Sequence, residues 1–321
     1  MADKTNYDLI ILGAGPAGMT AGVYAARKQI EVLVISENIG GQTTWSSGIE
    51  NYMGYTCITG VDLVRKFEEH VNAFNVPIEF TRVAKLSQAR HGFRIDTEDG
   101  RTFYSRVVVV ATGKSPRLLD VPGEKEFTGR GVTYCATCDG PVFAGMEVAV
   151  VGGGNSGLDA VIQLMKICPK VYLIEFADKL RADEVVQEQA RAAGNVEIIT
   201  GTAVQEIHGG DMVEAITIRH AKTGETRKLD VKGVFVEVGM VPSTDYIKDL
   251  LTLNKYGEIP VDCAARTELP GLYAAGDVTD VPEKQIIIAA GDGAKAALGA
   301  YSYLIRLPKS SRARKRPSRA I

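Results

Sequence analysis

The pair Cys135 and Cys138 stands in the run Cys135-Ala136-Thr137-Cys138-Asp139-Gly140-Pro141. Two intervening residues let the sulfurs reach disulfide distance without strain. A thiolate is the nucleophile of thiol–disulfide exchange, and a neighbouring cation or a helix N-terminus favours it. Asp139 is the carboxylate adjacent to the pair. If burial raises its pKa, it could act as a general acid that protonates a departing sulfur. The same spacing would also serve as half of a zinc site, which needs two further ligands. Cys57, Cys168 and Cys263 are isolated, and His70, His91, His208 and His220 show no ligand spacing. Redox use without a metal is therefore the expectation. The other three cysteines are expected to be buried as small apolar residues.

Elements able to position such a pair can be read on either side of it. The apolar run Tyr7 to Leu12 leads into Gly13-Ala14-Gly15-Pro16-Ala17-Gly18 and an Ala-rich stretch through Ala26. This reads as strand, glycine turn and helix. In that device the first glycine makes the tight turn, the second admits a pyrophosphate, and the third lets helix pack on strand. A second apolar run, Glu31 to Ile35, leads to Glu37, placed to accept from a ribose hydroxyl.

The device recurs after Glu147 to Val151. It comprises Gly152-Gly153-Gly154-Asn155-Ser156-Gly157, a helix to Ile167, and a strand Lys170 to Ile174 ending on Glu175. Two nucleotides in two α/β, Rossmann-like domains follow. Lys114-Ser115-Pro116 and Met240-Val241-Pro242-Ser243 read as crossovers, so the second domain is inserted into the first. The expected limits are 1–116 and 243–307 for the first domain, and 117–242 for the second with the cysteine pair.

The chain has 321 residues, of which 45% are hydrophobic and 24% charged, as in an ordinary globular protein. No stretch approaches the roughly 18 to 20 apolar residues of a membrane span, and the apolar opening Leu9 to Leu12 is too short for a signal-peptide core, so no leader is expected. The cytoplasm is the expected compartment. The formal charge of −2 conceals a segment, 308–321, with Lys309, Arg312, Arg314, Lys315, Arg316 and Arg319 and no acid. It is expected to be a disordered, solvated terminus, with no nucleic acid or membrane partner assigned to it.

Ala111-Thr112-Gly113 at the end of the strand Val107 to Val110, with Leu272 to Asp277 nearer the C terminus, resembles the paired motifs of FAD-binding pyridine-nucleotide–disulfide oxidoreductases. The resemblance implies that the first domain holds FAD, with Gly276 and Asp277 on its ribityl chain. A helix from about Gln285 through Ile286 to Leu304 would point at the isoalloxazine. Adding Gly40-Gly41-Gln42, Glu50-Asn51 and the Cys135 to Gly140 motif, residues 6 to about 306 resemble low-molecular-weight thioredoxin reductases. In that family Gln42, Thr43 and Asn51 would line the flavin, Cys138 would face it, and Cys135 would attack the partner disulfide. The family also implies a homodimer whose nicotinamide domain rotates.

One departure bears on the nucleotide. Such reductases carry His-Arg-Arg after the second nucleotide strand, to clamp the extra phosphate of NADPH; here the place reads Glu175-Phe176-Ala177. Glu175 would repel a 2′-phosphate and accept from a free 2′-hydroxyl. NADH is therefore expected, with Phe176 and Arg181 beside it, while Lys179 and Arg181 leave room for some use of NADPH. This stretch, together with Lys284-Gln285-Ile286-Ile287-Ile288-Ala289, is similar to the flavoprotein component of alkyl hydroperoxide reductase, a family that carries an N-terminal thioredoxin-like double domain; with its first strand at Tyr7, this chain is expected to lack it. A separate thioredoxin- or glutaredoxin-like protein is the expected electron acceptor. The competing readings are an NADH oxidase forming hydrogen peroxide, a dithiol oxidase, which would not need the second glycine fingerprint, and a redox-sensing binding module.

Overall fold

The computed structural model describes residues 5–307 apart from Ser47. The basic segment 308–321 lies outside the described residues. The first apolar run forms β1 (Asn6–Ala14), in which Leu9, Ile10, Ile11 and Leu12 are fully buried. Burial on both faces marks an interior parallel strand. Each of these side chains contributes about 1.5–3 kcal/mol by leaving water. There follow α1 (Pro16–Arg27), β2 (Val32–Ile39), α2 (Gly60–Ala73), β3 (Ile78–Phe80), β4 (Val83–Ala89), β5 (Gly92–Thr97) and β6 (Thr102–Val110). The strands form one sheet in the order β3-β2-β1-β6-β5-β4, parallel from β3 to β6 and antiparallel beyond.

The chain then leaves this sheet through β7 (Lys114–Pro116) and builds a second from β8 (Val132–Thr133), α3 (Ala136–Asp139), β9 (Val148–Val151), α4 (Asn155–Leu164), β10 (Val171–Ile174), α5 (Glu184–Ala192) and β11 (Val196–Ile199). A three-stranded antiparallel layer, β12 (Thr202–Gly209), β13 (Val213–His220) and β14 (Thr226–Asp230), precedes β15 (Gly233–Val236). The second sheet is parallel throughout, in the order β11-β10-β9-β15-β8. Valines and isoleucines of β12–β14 cover one face of it, and Leu158, Val161 and Leu164 of α4 cover the other.

The return runs through β16 (Met240–Pro242), which pairs antiparallel with β7: Met240 opposes Pro116 and Pro242 opposes Lys114. The chain then rejoins the first sheet as β17 (Leu272–Ala274) beside Val108–Val110 of β6, and ends in α6 (Ile286–Leu304). Gly18, Ala21, Gly22 and Ala25 of α1 and Ala289, Gly293, Ala296 and Ala300 of α6 let these two helices pack with β1 and β6 in one core. The fold is thus mixed α/β, built on parallel sheets.

The element limits differ from expectation where polar residues or proline intervene. Strand β2 runs on through Ser36, Glu37 and Asn38, with a register irregularity opposite Gly13, because the Ser36 hydroxyl accepts the Ala14 N–H at 3.0 Å. Helix α4 ends at Leu164, short of Ile167, in a turn closed by the Cys168 N–H on the Leu164 carbonyl at 2.8 Å, and Pro169, which lacks an N–H, cannot carry the helix further. Cys168 is buried, but Cys57 and Cys263 are exposed, correcting the expectation for those two.

Candidate active site

The two glycine loops have the same local geometry. Gly13 has φ +105 and Gly152 has φ +122, conformations that favour glycine, and a Cβ on either would stand 2.3–2.4 Å from the carbonyl oxygen of a neighbouring strand end. A Cβ on Gly18 would stand 1.8 Å from the Gly13 oxygen, and one on Gly157 1.8 Å from the Gly152 oxygen. Glycine at these positions lets each helix start against its strand. Gly15 and Gly154 are the N-caps of α1 and α4, and neither helix has a side-chain cap. The free N–H groups and the positive helix end suit an anionic pyrophosphate.

A cleft of about 1510 Å³ opens at the first loop. It takes in Gly13, Gly15, Pro16, Ala17, Glu37, Gly41, Gln42, Thr43, Ala111, Thr112, Gly113, Gly276, Asp277, Lys284, Gln285 and Ile286. The same cleft reaches Cys135, Cys138 and Asp139, and then Ser156 and Glu237. Gly18 lies behind the loop, packed on Gly13. Asn51 does not line the cleft, but its amide donates to the side-chain oxygen of Gln285, which does, at 3.0 Å, and the Gln42 amide donates to the Lys114 carbonyl at 2.6 Å.

These residues suit FAD. A Cβ at Gly15 would meet nothing within 4 Å, so the loop faces open space. Desolvation pushes the Asp277 carboxyl above its ordinary range, opposed by the cations Lys284 and Lys114. Lys114 in turn pairs with Glu258 at 2.5 Å, and Lys284 with the same oxygen at 3.5 Å.

The redox turn is held by β8 and α3. Cys135 and Cys138 are joined as a disulfide with Cα atoms 5.3 Å apart. Cys135 caps α3, its sulfur accepting the Cys138 N–H at 3.2 Å. The Thr133 hydroxyl accepts the Cys135 N–H at 3.3 Å and donates to Asp139 Oδ2. Asp139 is buried, and its Oδ1 has no hydrogen bond of normal geometry. Burial pushes its pKa up, partly offset by the hydroxyls of Thr133 and of Ser46 from the first sheet's side of the cleft. Burial likewise pushes Cys168 up to about 11, so that thiol stays protonated.

Of the residues expected at the nicotinamide nucleotide, Gly152, Gly154, Asn155 and Gly157 at the start of α4 and Glu175, Phe176 and Arg181 after β10 lie outside the main cleft on two neighbouring segments, joined by the Arg181 N–H on the Gly153 carbonyl at 2.8 Å, while Ser156 lines the cleft. Glu175 is buried at the end of β10. Its two oxygens accept the Gly153 N–H at 2.5 Å and the Ala177 N–H at 2.7 Å. Phe176 is 70% exposed, and the Arg181 guanidinium reaches to 4.0 Å from Glu175.

Thr133 and Glu237 were not expected at the site. Glu237 carried a usable signal, since it is an acid directly after an apolar strand, as Glu175 is. Thr133 carried none, because its role depends on the turn geometry.

The family model for pyridine nucleotide-disulphide oxidoreductases matches residues 7–293. The chain belongs to that family. As a pyridine nucleotide-disulphide oxidoreductase it is 42% identical over 305 residues to a Bacillus subtilis protein named NADH dehydrogenase, a match covering 95% of this chain and 60% of that protein. It is 43% identical over 307 residues to the F component of the alkyl hydroperoxide reductase of Pseudomonas putida, covering 94% of this chain and 59% of the other. The chain therefore spans about 60% of the length of these curated relatives. The thioredoxin reductase of Streptococcus pyogenes superposes with a TM-score of 0.90 at 40% identity, covering 95% of this chain and 100% of that one. Membership in the pyridine nucleotide-disulphide oxidoreductases implies use of FAD and a pyridine nucleotide. Among the described residues, no helix is long and apolar enough to cross a membrane.

Proposed function

We propose that the protein is a thioredoxin-reductase-like enzyme that draws electrons from NADH and delivers them, through FAD and Cys135–Cys138, to the disulfide of a thioredoxin- or glutaredoxin-like protein. In this reading it is a cytoplasmic homodimer, with residues 1–116 and 243–307 as the FAD unit and 117–242 as the nicotinamide and redox unit. The observation that carries it is the single cleft that takes in both the Gly13 loop and the cysteine pair.

Bound FAD would supply a two-electron relay between nucleotide and disulfide. The Gly13–Gly18 loop and the uncapped end of α1 would hold its pyrophosphate, Glu37 its ribose and Asp277 its ribityl chain. Gln42, Thr43, Asn51 and the start of α6 would line the ring. Two electrons entering Cys135–Cys138 break the S–S bond and leave two thiolates. Asp139, whose pKa burial pushes up, is placed beside the pair to give one of them a proton. The thiolate of Cys135 attacks the partner disulfide and expels one partner sulfur, forming a mixed disulfide. Cys138 then attacks Cys135, restores the internal disulfide and releases the second partner sulfur, which completes a two-electron reduction.

The preference for NADH is supported by the buried carboxylate of Glu175 at the end of the second nucleotide strand, where it accepts two backbone N–H groups and would repel a 2′-phosphate. Comparing kcat/KM for the two nucleotides with a thioredoxin-like disulfide as acceptor should favour NADH, and Glu175→Ala should narrow the gap about tenfold. A clear NADPH preference in the unmodified protein overturns this part. In the same assay Cys135→Ser and Cys138→Ser should abolish disulfide reduction. If NADH consumption in air is the only activity found, and both variants retain it, the protein is instead an oxidase.

A further inference from the structure

Lys114 and Lys284 line the cleft of the Gly13 loop from segments far apart in the chain, and both reach one carboxylate behind its wall. That carboxylate, Glu258, does not line the cleft. Its Oε1 accepts the Lys114 ammonium at 2.5 Å, and the Lys284 ammonium stands 3.5 Å from the same oxygen. Its Oε2 accepts the Asn254 amide at 2.6 Å, while the Asn254 side-chain oxygen takes the Glu258 N–H at 3.0 Å. The next residue is docked on the Gly276 turn, since the Ile259 N–H donates to the Val278 carbonyl at 3.0 Å. Lys284 also donates to the Thr279 carbonyl at 2.6 Å, and the Thr279 hydroxyl donates to the Gly276 carbonyl at 2.7 Å. The Lys114 and Glu258 side chains are only 12% and 11% exposed. A buried ion pair balances one charge with one, so a second ammonium on the same carboxylate is more than the pair needs. Burial and then Lys114 pull the pKa of Lys284 down, against Glu258 and Asp277, so holding this second cation here has a cost.

Both lysines stand on the segments that would line the flavin ring. The Lys114 carbonyl accepts the Gln42 amide at 2.6 Å, and Lys284 directly precedes Gln285, the N-cap of α6, a helix start with no side-chain cap. We propose that this cluster tunes the flavin by charge: Glu258 is a positioning residue that seats Lys114 and Lys284 at the ring-lining wall, and the two ammonium groups stabilise the negative charge that the ring gains on reduction. This rests on the reading of the cleft as the FAD site. Two electrons and one proton entering the ring leave one negative charge on it. A neighbouring ammonium group lowers the energy of that charged form, so reduced flavin is held more tightly than oxidised flavin and the potential rises. The acids that oppose the lysines are Glu258 and Asp277, and Asp292, which also faces Asp277, pairs with its own cation, Lys295, at 2.7 Å. Glu258 therefore both seats the ammonium groups and offsets part of their charge. Losing it acts in the opposite sense to losing a lysine.

The test measures the two-electron potential of FAD bound to the full chain, by equilibration with a dye of known potential near neutral pH and without oxygen. Cys135→Ser and Cys138→Ser are present in every sample, so that electrons enter the flavin alone. Lys284→Met should lower the potential by about 30 mV, a tenfold loss of preference for reduced over oxidised flavin. Lys284→Arg keeps the charge and should restore the potential. Glu258→Gln keeps an acceptor for Lys114 but loses the charge, and should raise the potential. A disturbance of packing moves the Met and Gln variants the same way, whereas charge moves them apart. An unmoved potential in Lys284→Met, even with a lower Tm, overturns the proposal, as do shifts of one sign in both variants. Should Lys284→Met lose its flavin, the Glu258→Gln protein decides: a rise supports the proposal, and an unmoved or lower potential overturns it. The measurement needs neither nucleotide nor partner. A protein that reduces no thioredoxin-like disulfide can therefore still show the opposed shifts, while one that takes up no FAD overturns both readings.

Discussion

The Thr133 hydroxyl serves two residues at once, accepting from the Cys135 N–H and donating to the buried Asp139. A carboxyl with one oxygen so engaged and the other without a normal hydrogen bond is destabilised mainly in its charged form. The direction of the pH effect follows. Asp139 stays protonated to a higher pH than an ordinary aspartate, so its proton is fully available below its raised pKa and is lost as pH rises through it. Disulfide reduction at saturating NADH should therefore fall on the alkaline side. Asp139→Asn should be slower at every pH, by about 10²- to 10⁴-fold, and should lack that limb. A pH–rate profile checks both, and an Asn variant with the original rate and limb would place the acid elsewhere. At this scale the sequence was informative where adjacency sufficed, as for Asp139 beside Cys138. Thr133 was hidden because its partners, the Cys135 N–H and Asp139, are brought near by the fold and not by the chain.

Among the elements, the strand–loop–helix units depend on two kinds of glycine that the motif alone does not separate. Gly18 touches protein, its absent Cβ lying 1.8 Å from the Gly13 oxygen, whereas Gly15 faces open cleft. Gly18→Ala must push α1 off β1 and should cost more than about 3 kcal/mol, seen as a large fall in Tm together with loss of flavin. Gly15→Ala creates no clash within the protein. It should fold with nearly unchanged Tm and still retain little flavin, because the added methyl group would occupy the space left for the phosphates. Equal retention of flavin by both variants would remove the first loop from the FAD site. The units themselves were legible because glycine spacing and apolar runs report strand and helix starts directly. Their ends were less so. Ser36, Glu37 and Asn38 break the apolar pattern of β2 although a side-chain hydrogen bond carries the strand past them, and α4 gives way to a turn at Met165 although the apolar pattern runs on to Ile167. The exposure of Cys57 and Cys263 could not be read from residue type, because a lone cysteine carries no periodicity.

For the molecule as a whole, the feature with most consequence is how the two units meet. Three residue pairs of β7 and β16 connect them, and beyond these the first sheet's side touches the redox turn through Trp45 and Ser46. The Trp45 and Tyr134 rings lie 6.0 Å apart and tilted at 57°, immediately before Cys135. None of these contacts was visible in the sequence, since Trp45 and Tyr134 belong to different units and neither falls in a motif. In this arrangement Asp139 and the disulfide share the cleft with the Gly13 loop, while Gly154 and Glu175 of the second glycine unit lie outside it. If one flavin must take electrons from the nucleotide and give them to the disulfide, the units must exchange positions about the short β7–β16 pair during turnover. Joining the units should then block turnover. In protein with Cys57 and Cys263 changed to Ser and Cys135–Cys138 kept oxidised, Trp45→Cys and Tyr134→Cys can be bridged by a cleavable bismaleimide. The bridged protein should lose NADH-driven disulfide reduction by more than about tenfold and regain it on cleavage of the linker, whereas either single cysteine variant treated alike should lose nothing on linker addition. Undiminished multiple turnover with the bridge intact would mean that electrons cross the cleft without rotation, and that the nucleotide reaches the flavin by another route.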